Sequence, residues 1–223
     1  MTTDIDFPAA RKNMIDCQLM TNGIHNEKLL EVFSAVPREA FLADDKKHLA
    51  YLDEDICIGQ DKFLMEPVIF ARMVKILDIG HDDSVLNIGD MTGYSSAILS
   101  CIATTVVTID QDEILGQAVQ DIWTGMEYCN IACLPGRYGK GMAEHAPYDA
   151  IFVNGAMHDV PESLLQQLNF GGRLIAVYKD KPNDMGKILV VQRQGDDSFS
   201  RVMHHDAATP FVSCFAPKDE FVF

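Results

Sequence analysis

The residues most able to do chemistry sit in one short turn and at one acidic position after it. Gly89-Asp90-Met91-Thr92-Gly93 is a turn bounded by glycines, and Asp110 follows Gly89 by 21 positions. A glycine at such a turn lets the backbone approach a ligand closely, and an acidic residue ending the next strand can accept both hydroxyls of a ribose. Alone, the turn is an ordinary strand-to-helix connection; the spacing to Asp110 is what favours a nucleoside-cofactor pocket. The cysteines and histidines form no comparable constellation. Cys17, Cys57, Cys101, Cys129, Cys133 and Cys214 contain no C-x-x-C pair, and Cys129/Cys133 lacks the second pair a zinc site needs. Their apolar neighbours make most of them core hydrophobes by expectation. His204-His205 reads as part of a solvated loop. No metal site is expected.

These residues need elements to position them. Residues 84–88 are a short β-rich run leading into the turn, and 95–103 a helical segment leaving it. Strands at 105–109, 131–134, 150–153, 173–178 and 187–193 follow, with helices at 113–125 and 163–168, the latter stopping at Gly171-Gly172. Such alternation implies an α/β fold with a mostly parallel, doubly wound sheet and helices on both faces. Ligands then lie outside the carboxyl ends of the strands, where the turn and Asp110 fall. The N-terminal third reads as helical: 9–20 by its apolar spacing, a second helix capped by Asn26 and ending before Pro37, and a third opened by Pro67 and running to 77. A loop, YLDEDICIGQDKFLMEP, precedes the third. No repeat divides the chain, so 1–223 is expected to be one domain, with 1–80 preceding a core at 81–223.

Thirty-three acidic residues against 18 basic ones give a net charge of −15, and no basic run counters it. A field of that sign repels phosphate backbones, which argues against a nucleic-acid partner. The apolar run from Ile98 to Val107 is too short to span a membrane and is broken by Ser100, Thr104 and Thr105. The start of the chain has no basic segment followed by an apolar one, so a cytoplasmic protein without a leader is expected. Nothing in the sequence fixes the oligomeric state.

Nearly the whole chain resembles the protein-L-isoaspartate O-methyltransferase family. VPREAF at 36–41 is similar to the signature before that family's substrate loop, and YLDEDICIGQ to its Tyr-x-Asp and Ile-Gly stretch. VLNIGDMTGYSSAIL at 85–99 resembles its cofactor loop. VVTID, YDAIFVNGA, VPESLLQQLNFGGRLIAV and PFV at 210–212 fit further along. The resemblance implies a Rossmann-like methyltransferase fold, S-adenosylmethionine as cofactor and a protein or peptide as substrate. It implies transfer of a methyl group to the carboxylate of an L-isoaspartyl residue in damaged protein. Asn87, Gly89, Asp90, Gly93, Asp110 and Arg137 stand at its cofactor-binding positions.

The chain departs from the family where the work is done. The family's loop Thr-Ile-Ser-Gln-Pro, whose hydroxyls help hold the substrate carboxylate, is here Phe63-Leu64-Met65-Glu66-Pro67. Phe63 and Met65 offer no hydroxyl donor, and Glu66 adds a like charge. Asn87 stands where the family has an acid. Asp90 and Met91 replace small residues, and Met91 is costly there if the position needs φ > 0. Gly136-Arg137 replaces a Gly-Asp whose carboxylate meets the adenine amino group, and arginine cannot accept that bond. Weak cofactor binding and little isoaspartyl repair are therefore expected. The alternative is a catalytically silent family member that acts by binding a partner.

Overall fold

The computed structural model describes residues 5–113 and 115–217, without the side chain of Asp112. Helix α1 (Phe7–Met14) begins where the Asp6 carboxylate accepts the Ala9 N–H at 3.0 Å, with a proline in its first turn. The helical path continues through a π turn, Ile15–Leu19, and a 3-10 turn, Met20–Asn22, until Gly23 ends it at φ 81°. Helix α2 (Glu27–Ala35) is capped as the sequence predicts, by Asn26 accepting from Leu29 N–H at 3.1 Å. The stretch expected to be a plain loop contains an antiparallel hairpin, β1 (Ile56–Gly59) and β2 (Lys62–Leu64). Helix α3 (Pro67–Leu77) follows, opened by its proline.

The core then alternates: β3 (Ser84–Ile88), α4 (Tyr94–Ser100), β4 (Thr105–Asp110), α5 (Gly116–Gly125), β5 (Ile131–Pro135), β6 (Tyr148–Met157), α6 (Glu162–Leu165), β7 (Leu168–Tyr178), β8 (Gly186–Arg193) and β9 (Phe199–Ala207). Among the described residues, seven of these strands form one sheet in the order β5-β4-β3-β6-β7-β8-β9. The first five run parallel, and β8 and β9 add antiparallel. The mostly parallel α/β architecture is therefore as expected. Each central strand is buried on both faces: Val85, Val106 and Phe152 face the N-terminal helices and α4, while Leu86, Val107 and Ile151 face the layer holding α6. No helix among the described residues is long and apolar enough to cross a membrane.

Several local expectations need correction. The helix expected over 163–168 has only four residues, Glu162–Leu165, and Gly171-Gly172 lie inside β7. There the pairing slips between Tyr148–Leu168 and Ala150–Arg173, and Gly171 takes φ 79°. The helix expected from 113 crosses residue 114, which is outside the described residues; its described part begins at Gly116. His204-His205 are solvated, but on strand β9, whose middle is exposed on both faces and so carries no alternating pattern. Five of the six cysteines are exposed and Cys133 is half-buried, so they are not core residues.

Candidate active site

Strand β3 delivers the chain to the carboxyl edge of the sheet, where Gly89 (φ 76°) and Gly93 (φ 86°) make the turn into α4. Gly93 also has to be small. An added Cβ would stand 2.3 Å from Val119 Cγ1 and 3.0 Å from Trp123, whose indole N–H donates to the Gly93 carbonyl at 3.0 Å. Met91 is absent from the positive-φ positions, so the expected backbone cost of a side chain there does not arise.

Asp90 is buried and acts inside the turn. One oxygen accepts the N–H groups of Thr92 (3.2 Å) and Gly93 (2.7 Å); the other accepts the N–H (2.9 Å) and hydroxyl (2.7 Å) of Ser96. The start of α4 therefore carries its own carboxylate. Asn87 lies beside it. Its amide donates to Ser95 Oγ (2.8 Å), Ser96 Oγ (2.9 Å) and, at 3.4 Å, Asp90 Oδ2, while its oxygen accepts from Asn154 Nδ2 at 2.6 Å. A second carboxylate at 87 would face Asp90 with like charge, so an amide at 87 and an acid at 90 belong together. Neither residue projects into open space.

Met91 and Phe63 meet across the site. The Met91 sulfur accepts the Phe63 N–H at 3.3 Å, and both side chains are buried. Phe63 reaches this place because residue 155 is glycine: a Cβ there would lie 2.9 Å from the ring. The space between the substrate loop and the glycine turn, bounded by Arg38, Phe63, Met65, Met91, Tyr94 and Asn154, is only ≈ 10 Å³. One water would fill it. Met65 is buried in the same cluster. Glu66 stands apart from it, at the start of α3. Its carboxyl is pushed up to about 7, first by burial and then by Asp53 and Asp55.

On the outer side of Met91 a cleft of ≈ 450 Å³ opens between the β1–β2 hairpin, Gln111 and Tyr138. Asp110 ends β4 at its expected place, and its Oδ1 accepts the Leu115 N–H at 3.1 Å. Gln111, which sequence reasoning missed, ties this edge to the next one by accepting the Tyr138 N–H at 3.1 Å. Arg137 sits on the neighbouring turn with its side chain exposed and is not part of the cleft wall. The cleft is of a size for a nucleoside.

Arg38, also missed, is fully buried. Its Nε donates to Ala50 O at 2.7 Å and its Nη2 to Met65 O at 2.5 Å, and it lies 5.0 Å from the Tyr94 ring centroid. It ties the substrate loop to the turn before it. Burial lowers its pKa. Its only sequence signal is its place in VPREAF.

A mostly parallel sheet with a glycine turn after its central strand, and an acidic residue ending the next, is a Rossmann-like fold. Residues 10–216 match the model of the protein-L-isoaspartate(D-aspartate) O-methyltransferase family, and the chain belongs to that family. It is 36% identical over 189 residues to protein-L-isoaspartate O-methyltransferase 2 of Pelobacter propionicus, covering 85% of this chain and 84% of that one. To the Vibrio atlanticus protein-L-isoaspartate O-methyltransferase it is 33% identical, covering 87% and 92%. Among solved structures, a protein-L-isoaspartate O-methyltransferase superposes with a TM-score of 0.78 at 22% identity over 90% of this chain and 65% of that one. A Plasmodium falciparum putative protein-L-isoaspartate O-methyltransferase in complex with S-adenosyl-L-homocysteine gives 0.73 at 14% identity, covering 94% and 100%. These two likenesses support the fold.

Proposed function

We propose that this chain binds S-adenosylmethionine in the cleft between Met91, Gln111 and Tyr138, and transfers its methyl group to L-isoaspartyl carboxylates of damaged protein only slowly. When bound, the cofactor supplies an activated methyl group. A carboxylate acceptor is already ionised at neutral pH, so no general base is required, and the protein's task is alignment and exclusion of water. Alignment is what these residues withhold. The observation that carries the reading is the Met91 sulfur on the Phe63 N–H, with ≈ 10 Å³ left where donor and acceptor must meet. The Asp90 and Asn87 side chains hold the turn to its own backbone and to each other, and so leave the positioning of the cofactor to the cleft walls.

Titration with S-adenosylhomocysteine tests this. The unmodified chain is expected to bind more weakly than low-micromolar, and Met91→Ala at least about tenfold more tightly, a difference of ~1.4 kcal/mol. Low-micromolar binding by the unmodified chain, or equal binding by both, overturns it. A silent member that acts by binding a partner is the second reading. It is supported by a groove of ≈ 720 Å³ that stays open beside the closed centre. Both readings take residues 1–223 as one unit, because side chains of α2 and α3 share a core cluster with the sheet. The net charge of −15 argues against a nucleic-acid partner.

A further inference from the structure

Asn22 and Gly23 close the N-terminal helical path and form one of two Asn-Gly pairs in the chain; the other is Asn154-Gly155. An asparagine before glycine is open to attack by the next backbone nitrogen on its carboxamide, because glycine puts no Cβ in the way. The two pairs differ in their surroundings. Asn22 is exposed, Gly23 stands at φ 81°, and a Cβ added to Gly23 would meet nothing within 4 Å. Two cations of α3 reach this pair. Arg72 Nη2 donates to Asn22 Oδ1 at 2.6 Å, and Lys75 Nζ donates to the Gly23 carbonyl at 2.8 Å. Among the described residues neither is in an ion pair, although Arg72 also acts at longer range on Glu66. A guanidinium on a carbonyl oxygen draws charge from the carbon and stabilises the oxyanion that forms on attack. Asn154, by contrast, is buried, and its Nδ2 donates to Asn87 Oδ1 at 2.6 Å and to Ile88 O at 3.0 Å. A Cβ on Gly155 would lie 2.9 Å from Phe63 and Val212.

We propose that Asn22 is a site of spontaneous deamidation, with Arg72 activating its carboxamide and Lys75 favouring loss of the Gly23 amide proton. The Gly23 nitrogen gives up its proton and bonds to Asn22 Cγ. The Cγ–Nδ2 bond breaks, and Nδ2 leaves as ammonia with that proton. Water then opens the succinimide at Cγ, giving aspartate, or at the main-chain carbonyl, giving isoaspartate. Two bonds oppose the first step: Gly23 N–H to Met20 O at 3.0 Å and Asn22 Nδ2 to Gln18 O at 2.9 Å. Both belong to the last turn of a helical path, the part that opens at least cost, whereas Arg72 and Lys75 are held on α3. The carboxylate of the product faces Arg72, so a charge-assisted pair replaces the amide's hydrogen bond.

The test ages the folded chain at mildly alkaline pH and physiological temperature and follows each asparagine by peptide mass spectrometry. Replacement of the carboxamide nitrogen by oxygen is read from the mass, and aspartyl and isoaspartyl peptides are separated by chromatography. Asn22 is expected to convert while Asn154 stays intact. Arg72→Met and, separately, Lys75→Met should each slow the conversion about threefold or more, as loss of one charge-assisted contact at a partly exposed site gives. In urea, where α3 no longer stands beside Asn22, both variants should convert at the parent's rate. Asn22 that stays intact in the folded chain while converting in urea overturns the site, as does Asn154 converting as fast as Asn22. An unchanged or faster rate in either folded variant overturns the roles given to α3. If one variant does not fold, the other decides those roles, and the comparison of Asn22 with Asn154 still decides the site. No S-adenosylmethionine is added, so the outcome is independent of the proposed function.

Discussion

Restoring the family's loop chemistry, with Phe63→Thr, Met65→Ser and Glu66→Gln together, tests whether the apolar loop is a lost site or part of the core. Phe63 and Met65 are 7% and 3% exposed and belong to the main hydrophobic cluster. Cutting a buried phenylalanine or methionine to a small residue costs roughly 3–5 and 2–5 kcal/mol, and the new hydroxyls would be buried as well. Both residues border the same ≈ 10 Å³ remnant, so their costs will not simply add. A combined loss of about 5–8 kcal/mol is a large part of a typical folding free energy of about 5–15 kcal/mol. At about 2–4 °C per kcal/mol for a domain of this size, Tm should fall by roughly 10–30 °C. Circular dichroism melting measures the shift. The hydroxyls alone should not raise isoaspartyl methylation, because Met91 still closes the centre. A triple variant melting within about 5 °C of its parent, or one that gains methylation with Met91 intact, would refute the reasoning.

Asp90→Ala strips the acceptor from three backbone N–H groups and the Ser96 hydroxyl. It should cost about 3 kcal/mol or more in urea unfolding, with Asp90→Asn costing less; no loss from Asp90→Ala would mean the carboxylate does not hold the turn. Glu66 titrates at about 7 in the folded chain against 4.5 for the free group. The folded state therefore holds more proton between those values, and stability is lost as pH rises through that window. Glu66→Gln should raise Tm at pH 8 and leave it nearly unchanged at pH 4; an equal effect at both pH values would rule out this linkage.

The sheet was legible because its central strands are short apolar runs between turn signals, and the caps at Asn26 and Pro67 obey local rules. The β1–β2 hairpin was hidden because its strands are only four and three residues long, and β9 by exposure of its middle residues on both faces. At the site, sequence placed the turn and Asp110, but the bonds its side chains make depend on the fold. Asp90 looked like an intruder in a cofactor loop, whereas it caps the helix that follows. Asn87 makes sense only beside Asp90, a relation that depends on the fold of the turn. Arg137 looked like a lost adenine contact, and its side chain points to solvent. Arg38 was missed because a buried cation has no periodic or spacing signature; only its surroundings reveal it.

The most direct measurement is the initial rate at which the unmodified chain methylates an isoaspartyl peptide at saturating S-adenosylmethionine. With Met91 and Phe63 closing the centre, transfer should be slow, well below the rate of an ordinary enzyme. A rate of roughly 1 s⁻¹ or faster, ordinary for an enzyme, would contradict the account.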